Sequence, residues 1–319
     1  MVGAGSIGSS DEGGCPDRSF VLIEFMNELK DLADFFLWVG LFAGSCLGSF
    51  LNVVAFRVPR ELSVIRPCSS CPACKKPIPW FLNLPVLGWI ILKGKANCCG
   101  SKISVRYPFV ELIMGCLFAW QFHSFAAHGD LGILLISCLF GWILVGVIVI
   151  DLETMLIPDR FSIGGAFLGF LLSLYWPYLH GFDHSMGGAS SLSAGVSSLT
   201  GILIGSGLLY WIGAVAGRAL GREALGEGDV KLLGCIGAFC GWKGAVFCIF
   251  GGAMLGCLLL IPALIIQKLS FFSSKDTNQI GLGVEIPFGP YLALAALGYF
   301  FGFNQWVDPW FVWTEALTF

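Results

Sequence analysis

Residues 131–151, LGILLISCLFGWILVGVIVID, decide the fold of this chain. The stretch 131–150 contains no charged residue, and a carboxylate, Asp151, follows it directly. A helix needs about 20 consecutive apolar residues to cross the hydrocarbon core of a bilayer. The stretch therefore predicts a transmembrane helix that ends in an aspartate at one membrane surface.

The whole chain has the same apolar character. Of its 319 residues, 56% are hydrophobic and 12% are charged, whereas soluble domains have about 25% charged residues. This excludes an ordinary soluble domain, so we predict an all-α membrane protein with about eight transmembrane helices and a small cytoplasmic loop domain that contains cysteines. We expect the lipid bilayer as a partner and no nucleic acid, and the oligomeric state is left open. The apolar runs are 34–56, 108–127, 131–150, 161–179, 195–216, 230–242, 244–266 and 287–304.

Lysine and arginine residues predict the orientation in the membrane. The loop 57–107 is rich in both residue types, and the positive-inside rule places such a loop in the cytoplasm. Both termini then lie outside. Residues 1–33 lack a basic segment followed by an apolar one, so they predict a flexible non-cytoplasmic tail and no signal peptide. The basic residues of the loop are Arg57, Arg60, Arg66, Lys75, Lys76, Lys93, Lys95, Lys102 and Arg106.

Two carboxylates at the predicted inner surface are candidate catalytic groups. Asp151 ends the third apolar run, and Asp229 opens the sixth in the sequence Gly226-Glu227-Gly228-Asp229. Acidic residues at a membrane edge are costly and therefore often functional. Two neighbouring carboxylates can share a proton, so that one activates water while the other donates a hydrogen bond to a scissile carbonyl. The glycines Gly226 and Gly228 would let an extended peptide approach the backbone.

A purely structural role is the alternative for these acids. Asp229 lies where an aspartate can cap the N-terminus of a helix, whereas Asp151 lies at a C-terminal end, which disfavours an anion. Asp159 follows Pro158 and precedes an apolar run, so we expect it to cap a helix.

Several further segments, in the same order, resemble the prepilin peptidase family, the type IV leader peptidases, which are aspartic membrane proteases with a GxGD motif. The resemblance covers nearly everything after about residue 34. The segments are GSFLNVV at 48–54, CPAC at 71–74, NLPVLGW at 83–89, ISVRYP at 103–108, IPD at 157–159, GEGDVKL at 226–232 and IPFGP at 286–290.

The resemblance implies both a location and an activity. Such enzymes lie in the bacterial cytoplasmic membrane and cut the leader peptide from type IV prepilins and pseudopilins at the cytoplasmic face. Asp151 and Asp229 occupy the catalytic positions. Many members also methylate the new N-terminus with S-adenosylmethionine, for which the sequence offers no recognisable binding motif. The implied organisation is the tail 1–33, a first transmembrane helix 34–56, a basic zinc-binding segment 57–107 and a transmembrane aspartic peptidase domain 108–319.

The cysteines of the loop depart from the family pattern. Methylating members commonly carry two CxxC pairs, and here the first pair is Cys71 and Cys74, while Ala96 stands at one expected position of the second and Cys99 at the other. Four thiolates suit a structural zinc ion. A further cysteine could supply the fourth thiolate, and Cys68 is preferred over Cys98 because Cys98 is adjacent to Cys99. A disulfide and unliganded thiols remain alternatives, and Ala96 leaves methylation open.

Two other classes of function are compatible with parts of the sequence. Asp151 and Asp229 could form an ion relay in a transporter, although charges at the membrane edge rather than its centre disfavour this reading. Alternatively, the cysteine loop could be a metal or thiol module that the helices anchor to the membrane.

Overall fold

The computed structural model describes residues 18–65, 71, 73–183, 187–221, 225–270 and 287–311. These residues are predominantly helical and contain no β-strand, with one isolated bridge between Lys95 and Lys102. The all-α class is thus confirmed. The helices are α1 (Arg18–Arg57), α2 (Leu87–Ile91), α3 (Arg106–His128), α4 (Leu131–Thr154), α5 (Asp159–Tyr175), α6 (Gly188–Leu220), α7 (Glu227–Ser270), α8 (Gly289–Gly298) and α9 (Asn304–Val307), with short 3₁₀ turns between several of them.

Five helical stretches in the described residues are long and apolar enough to cross a membrane. They are Leu32–Arg60, Arg106–Ala126, Leu131–Thr154, Gly188–Leu220 and Glu227–Pro262. Large apolar side chains also cover the outside of the helices, which a bilayer would solvate and water would not. Examples are Phe35, Trp38 and Phe42 on α1, Phe167 on α5, and Leu203 and Trp211 on α6. The chain is therefore a membrane protein.

Helix α1 is longer than the sequence predicted. It begins at Arg18, within the segment 1–33 that was expected to be a flexible tail, and residues 1–17 lie outside the described part of the chain. Residues 18–33 include leucine, glutamate and methionine, which favour helices, and neither glycine nor proline. The first membrane span therefore continues without a break from a helical extension.

Helix α7 contains two membrane segments rather than one. Gly241 has φ 66° and ψ −177°, which interrupts the helix. An unbroken helix of 44 residues would be about 66 Å long. Instead, the first residues of α7 and a later part of α7 both lie close to the start of α8. Gly228 lies against Ile157, and Gly256 lies against Tyr291, near the start of α8. The chain reverses at Gly241, so the separate predicted runs 230–242 and 244–266 correspond to two antiparallel segments.

Helix α4 forms the centre of the bundle. It begins after Asp130, whose Oδ1 accepts hydrogen bonds from the backbone N–H groups of Gly132 (2.8 Å) and Ile133 (3.1 Å). Most of its side chains are buried, and Phe140 stacks on Phe239 of α7 with ring centroids 4.4 Å apart. It ends at Met155, which adopts a left-handed conformation. Tertiary packing therefore covers most of α4 and places its last turn among the ends of other helices.

Small residues allow α1 and α3 to pack closely. A Cβ atom on Gly40 would lie 2.7 Å from the backbone oxygen of Phe118, and one on Gly48 would lie 2.8 Å from Cα of Glu111. Gly44, between them, touches Met114 in the same way. Such spacing of small residues is typical of close helix contacts in membranes. The contact aligns the end of α1 with the start of α3, and the cysteine loop connects these two ends.

Candidate active site

The last turn of α4 carries Asp151. Its side chain is only 4% exposed although it is a carboxylate. Oδ2 lies against Gly289, the first residue of α8, where an added Cβ atom would be 2.5 Å away. The carboxylate also accepts a hydrogen bond from the backbone N–H of Gly289. The C-terminal end of α4 disfavours a negative charge on Asp151. The N-terminal end of α8 carries a partial positive charge and offsets this effect.

Asp229 lies in the first turn of α7 and is also buried. Its backbone N–H donates to the carbonyl oxygen of Gly226 (3.2 Å), and its carboxylate accepts from the N–H of Gly226. The second of these bonds is half of a capping box, in which an acidic residue in the first turn accepts from the N–H of the residue three positions earlier. Asp229 thus accepts a hydrogen bond at the N-terminus of α7, which is the structural role considered in the sequence analysis. Its carboxylate also interacts with that of Asp151.

The structure brings Asp151 and Asp229 together from distant parts of the sequence. Their carboxylates are close enough to interact electrostatically. Ile157 packs beside them, since it contacts both Gly228 of α7 and Gly289 of α8. The two aspartates therefore lie near each other, as expected. Their catalytic role stays a prediction.

Two other residues complete the surroundings of the pair. Asp159, expected to cap a helix, is the first residue of α5 after an N-cap at Pro158, and it makes no capping hydrogen bond. It pairs instead with Lys231 across 2.9 Å and is largely exposed. The expected capping role is wrong because α5 already begins at Asp159, so that Pro158, and not Asp159, is the N-cap residue. Sequence analysis also missed the contact of Gly289 with Asp151. The segment IPFGP at 286–290, which resembles the family, was the signal that could have indicated it.

The cysteine loop gathers four thiols. Sγ of Cys71 is 3.6 Å from that of Cys99, and Sγ of Cys74 is 3.1 Å from that of Cys98. Cys98 and Cys99 are 3.9 Å apart, and all four Sγ atoms lie within 4.8 Å of one another. Tetrahedral zinc with bonds of about 2.3 Å separates its sulfur ligands by about 3.8 Å. The chemistry and spacing of the four thiols fit such a metal.

Hydrogen bonds in the loop favour ionised thiols at two of these positions. Backbone N–H groups, chiefly that of Cys74, lower the pKa of Cys71 to about 6. Hydrogen bonding to Ser101 also lowers the pKa of Cys99. By contrast, the hydrogen bond between the thiols of Cys74 and Cys98 raises the pKa of Cys98 to about 12. Metals bind the thiolate form, so Cys71 and Cys99 are prepared to bind a cation.

The structure favours a fourth ligand that the sequence ranked second. Cys98 joins Cys71, Cys74 and Cys99 although it is adjacent to Cys99. The reason is a tight turn, in which the N–H of Ala96 donates to the carbonyl of Ser101 at 2.8 Å and bends the backbone around the thiols. Cys68, the preferred candidate, lies outside the described residues.

Comparison with known proteins identifies related families and enzymes. Residues 42–125 match the Bacterial Peptidase A24 N-terminal domain, and residues 138–261 match the Type IV leader peptidase family. A prepilin leader peptidase/N-methyltransferase of Klebsiella pneumoniae is 35% identical over 65% of this chain and 87% of its own length. The enzyme of the same name from Dichelobacter nodosus is 32% identical over 81% of this chain and 88% of its own. No solved structure matches at a significant level.

The fold and the acidic pair define a helical membrane protein with two buried carboxylates where the ends of α4, α7 and α8 meet. The similarities of both halves then make the assignment specific: the chain belongs to the type IV leader peptidase family.

Proposed function

We propose that this chain cleaves the leader peptides of type IV prepilins and pseudopilins, with Asp151 and Asp229 as the catalytic pair. The observation that carries the proposal is the meeting of these two carboxylates, from α4 and α7, in a protein of the type IV leader peptidase family. The family also favours a protease over a transporter or a membrane-anchored metal module.

The chemistry follows from the pair. One carboxylate removes a proton from water, and the resulting hydroxide equivalent attacks the scissile carbonyl carbon. The other, protonated, donates a hydrogen bond to the carbonyl oxygen and later supplies a proton to the leaving amine. Because coupled acids titrate as a unit, neither role is assigned to one residue.

Glycines on either side of the pair give a peptide access. Gly226 and Gly228 precede Asp229, and Gly289 lies against Asp151. Side chains at these positions would fill the space beside the carboxylates. An extended peptide bond could therefore lie between the start of α7 and the start of α8.

The distribution of basic residues supports a cytoplasmic active site in the bacterial inner membrane, with both termini outside. The loop that follows α1 is basic. Its contact with the bundle is at the end that carries the acidic pair, since Arg106 pairs with Glu153 of α4 across 2.9 Å. The leader of a prepilin is expected on this side of the membrane.

Zinc and S-adenosylmethionine are the proposed cofactors. Zinc would bind the four gathered thiols and stabilise a loop that has little apolar core of its own. S-adenosylmethionine would supply a methyl group to the new N-terminus, as the names of the relatives indicate for those enzymes.

A cleavage assay with a matched control tests the proposal. Purified protein in detergent is incubated with a prepilin, and Asp151→Asn, Asp229→Asn and Asp159→Asn are compared with the unmodified chain. Asp159 is an exposed carboxylate at the same membrane edge, so its variant should cleave normally. Both buried variants should lose cleavage by about 10⁴-fold, as expected when an essential proton-transfer group is removed. Substantial cleavage by either would refute the assignment.

A further inference from the structure

The short helix α2 of the cysteine loop carries three large aliphatic side chains on one face. Leu87, Ile90 and Ile91 follow the helical spacing i, i+3 and i+4, and they are 57%, 57% and 64% exposed. Gly88 and Trp89 lie on the other side of α2, where they line a cavity between the loop, α1 and α3. A contiguous apolar surface of this kind marks a contact with an apolar partner. We call Leu87, Ile90 and Ile91 the α2 patch.

The position of α2 beside α3 indicates what that partner is. The backbone N–H of Val86, immediately before α2, donates to Oε2 of Glu111 at 2.7 Å. Glu111 lies within the apolar stretch Arg106–Ala126, which is long enough to span a membrane, and more than one turn from its start. An added Cβ atom on Gly48, well before α1 ends at Arg57, would be 2.8 Å from Cα of Glu111. Helix α2 therefore begins alongside two membrane spans and not beyond their ends.

Basic residues follow the α2 patch directly. Lys93 and Lys95 are exposed, and neither lines the cavity. The segment 62–110 contains no acidic residue, so no carboxylate of this segment neutralises them. The positive-inside rule places this loop at the cytoplasmic leaflet, whose anionic lipids attract lysines close to the membrane. An apolar face next to basic residues is typical of an element that lies in the plane of a membrane interface.

We infer that the α2 patch is buried in the lipid leaflet on the side of the cysteine loop, with Lys93 and Lys95 against anionic headgroups. The loop then contacts the membrane through α2 in addition to the two spans that it connects. The inference goes beyond the proposed cleavage and does not rest on it, because it needs only the membrane spans and the geometry of the loop.

The lipid contact of α2 also positions the thiols. Nε1 of Trp89 donates to the backbone oxygen of Ile103 at 3.1 Å, and the N–H of Ile103 donates to the carbonyl of Gly94 at 2.8 Å. These bonds attach the turn 94–103 to α2. Since Cys98 and Cys99 belong to this turn, a lipid-bound α2 holds them at a fixed distance from the bilayer.

Photocrosslinking of the full-length protein identifies what covers the patch. Ile90→p-benzoylphenylalanine is reconstituted in nanodiscs of phosphatidylethanolamine and phosphatidylglycerol, irradiated and analysed by intact-protein mass spectrometry. The matched control is the same substitution at Ile65, which is 84% exposed in the same loop. Arg57, the last residue of α1, holds the backbone oxygens of Ser63 (3.0 Å) and Val64 (3.2 Å), so Ile65 lies beyond the end of the helix. We expect about fivefold more lipid adduct at position 90 than at position 65.

The same experiment distinguishes lipid from other partners. Phe109, which is 59% exposed on the membrane helix α3, is the positive control for lipid adducts. Crosslinks from position 90 to a second copy of the chain or to an added prepilin, in place of lipid, would overturn the inference. Equal lipid adducts at positions 90 and 65, or none at position 90 while position 109 reacts, would do the same.

Hydroxyl-radical footprinting gives a second measurement that needs no substitution. In the same nanodiscs, the unmodified chain should be oxidised about fivefold more slowly at Leu87, Ile90 and Ile91 than at Ile65, because lipid excludes water from the patch. Equal oxidation of the patch and of Ile65 would contradict burial in the leaflet.

The lysines are tested by charge reversal. Lys93→Glu combined with Lys95→Glu should lower the lipid adduct at position 90 about twofold or more in nanodiscs that contain phosphatidylglycerol, because the attraction to anionic headgroups is lost. In nanodiscs of phosphatidylcholine alone, the adduct should be the same with and without the charge reversal. An unchanged adduct in both kinds of nanodisc would overturn the assignment of the lysines to anionic headgroups.

Discussion

Gly289 lies directly against the carboxylate of Asp151. A Cβ atom on Gly289 would be 2.5 Å from Oδ2 of Asp151 and 2.9 Å from Cδ1 of Ile157. The start of α8 thus approaches the acidic pair as closely as a polypeptide backbone can. This contact makes residue 289 a sensitive position for the proposed reaction, although it carries no reactive group.

Gly289→Ala should reduce cleavage while the protein still folds. The added methyl group must displace either the Asp151 carboxylate or Ile157, and a misplacement of about 1 Å in a catalytic site can lower the rate by about 100-fold. The turnover of a prepilin in detergent measures the effect. Gly207→Ala is the matched control, since an added Cβ atom there meets nothing within 4 Å. Unchanged cleavage by Gly289→Ala would show that the contact does not position the carboxylate.

The helices, and the positions of the two aspartates at helix ends, were predictable because their signals are local. An apolar run of membrane length predicts a span wherever it occurs, and a carboxylate at the end of such a run, as at Asp151, is conspicuous. The reversal at Gly241 was only suggested by glycines in a short run. The approach of Gly289 to Asp151 depends on packing between helices that are distant in sequence, which no local pattern specifies.

The cysteine loop shows the same limit on a smaller scale. The residue types predicted a metal site, but adjacency in sequence argued against using both Cys98 and Cys99. The turn that brings both thiols to Cys71 and Cys74 depends on the hydrogen bond between Ala96 and Ser101. Spacing alone therefore indicated four thiols, and it did not anticipate that Cys98 and Cys99 can both lie beside Cys71 and Cys74. The choice between Cys68 and Cys98 as a metal ligand stays a prediction.

Metal content should distinguish Cys98 from Cys68 as the fourth ligand. We expect purified protein to contain about one zinc ion per chain, as four thiolates suit one tetrahedral ion. Cys98→Ser should lose most of this zinc, whereas Cys68→Ser should retain it, and elemental analysis of the detergent-solubilised protein measures both. Cys116→Ser, in the membrane helix α3, is the control. Zinc retention by Cys98→Ser together with loss in Cys68→Ser would reverse the assignment.

Removal of the metal should affect methylation more than cleavage. The family resemblance links paired cysteines in this loop to methylation, and Cys71 and Cys98 line a cavity between the loop, the end of α1 and the start of α3 that the acidic pair does not line. A strong zinc chelator, or Cys71→Ser, should therefore lower the methylated fraction of the product several-fold and leave the rate of leader removal close to normal. Mass spectrometry of the product measures both reactions in one sample. An equal loss of both would indicate that the loop supports the whole enzyme.

The reversal within α7 should depend on glycine at residue 241. Its φ of 66° and ψ of −177° belong to a region that residues with a Cβ atom rarely adopt, at a cost of about 1–3 kcal/mol. Gly241→Ala should therefore lower the midpoint of thermal unfolding in detergent. Gly256→Ala is the matched control, because it lies in the same element and an added Cβ atom would make only ordinary contacts, at 3.7 Å or more, with Tyr291. If both variants unfold at the same temperature as the unmodified chain, α7 does not require a glycine to turn back toward the acidic pair.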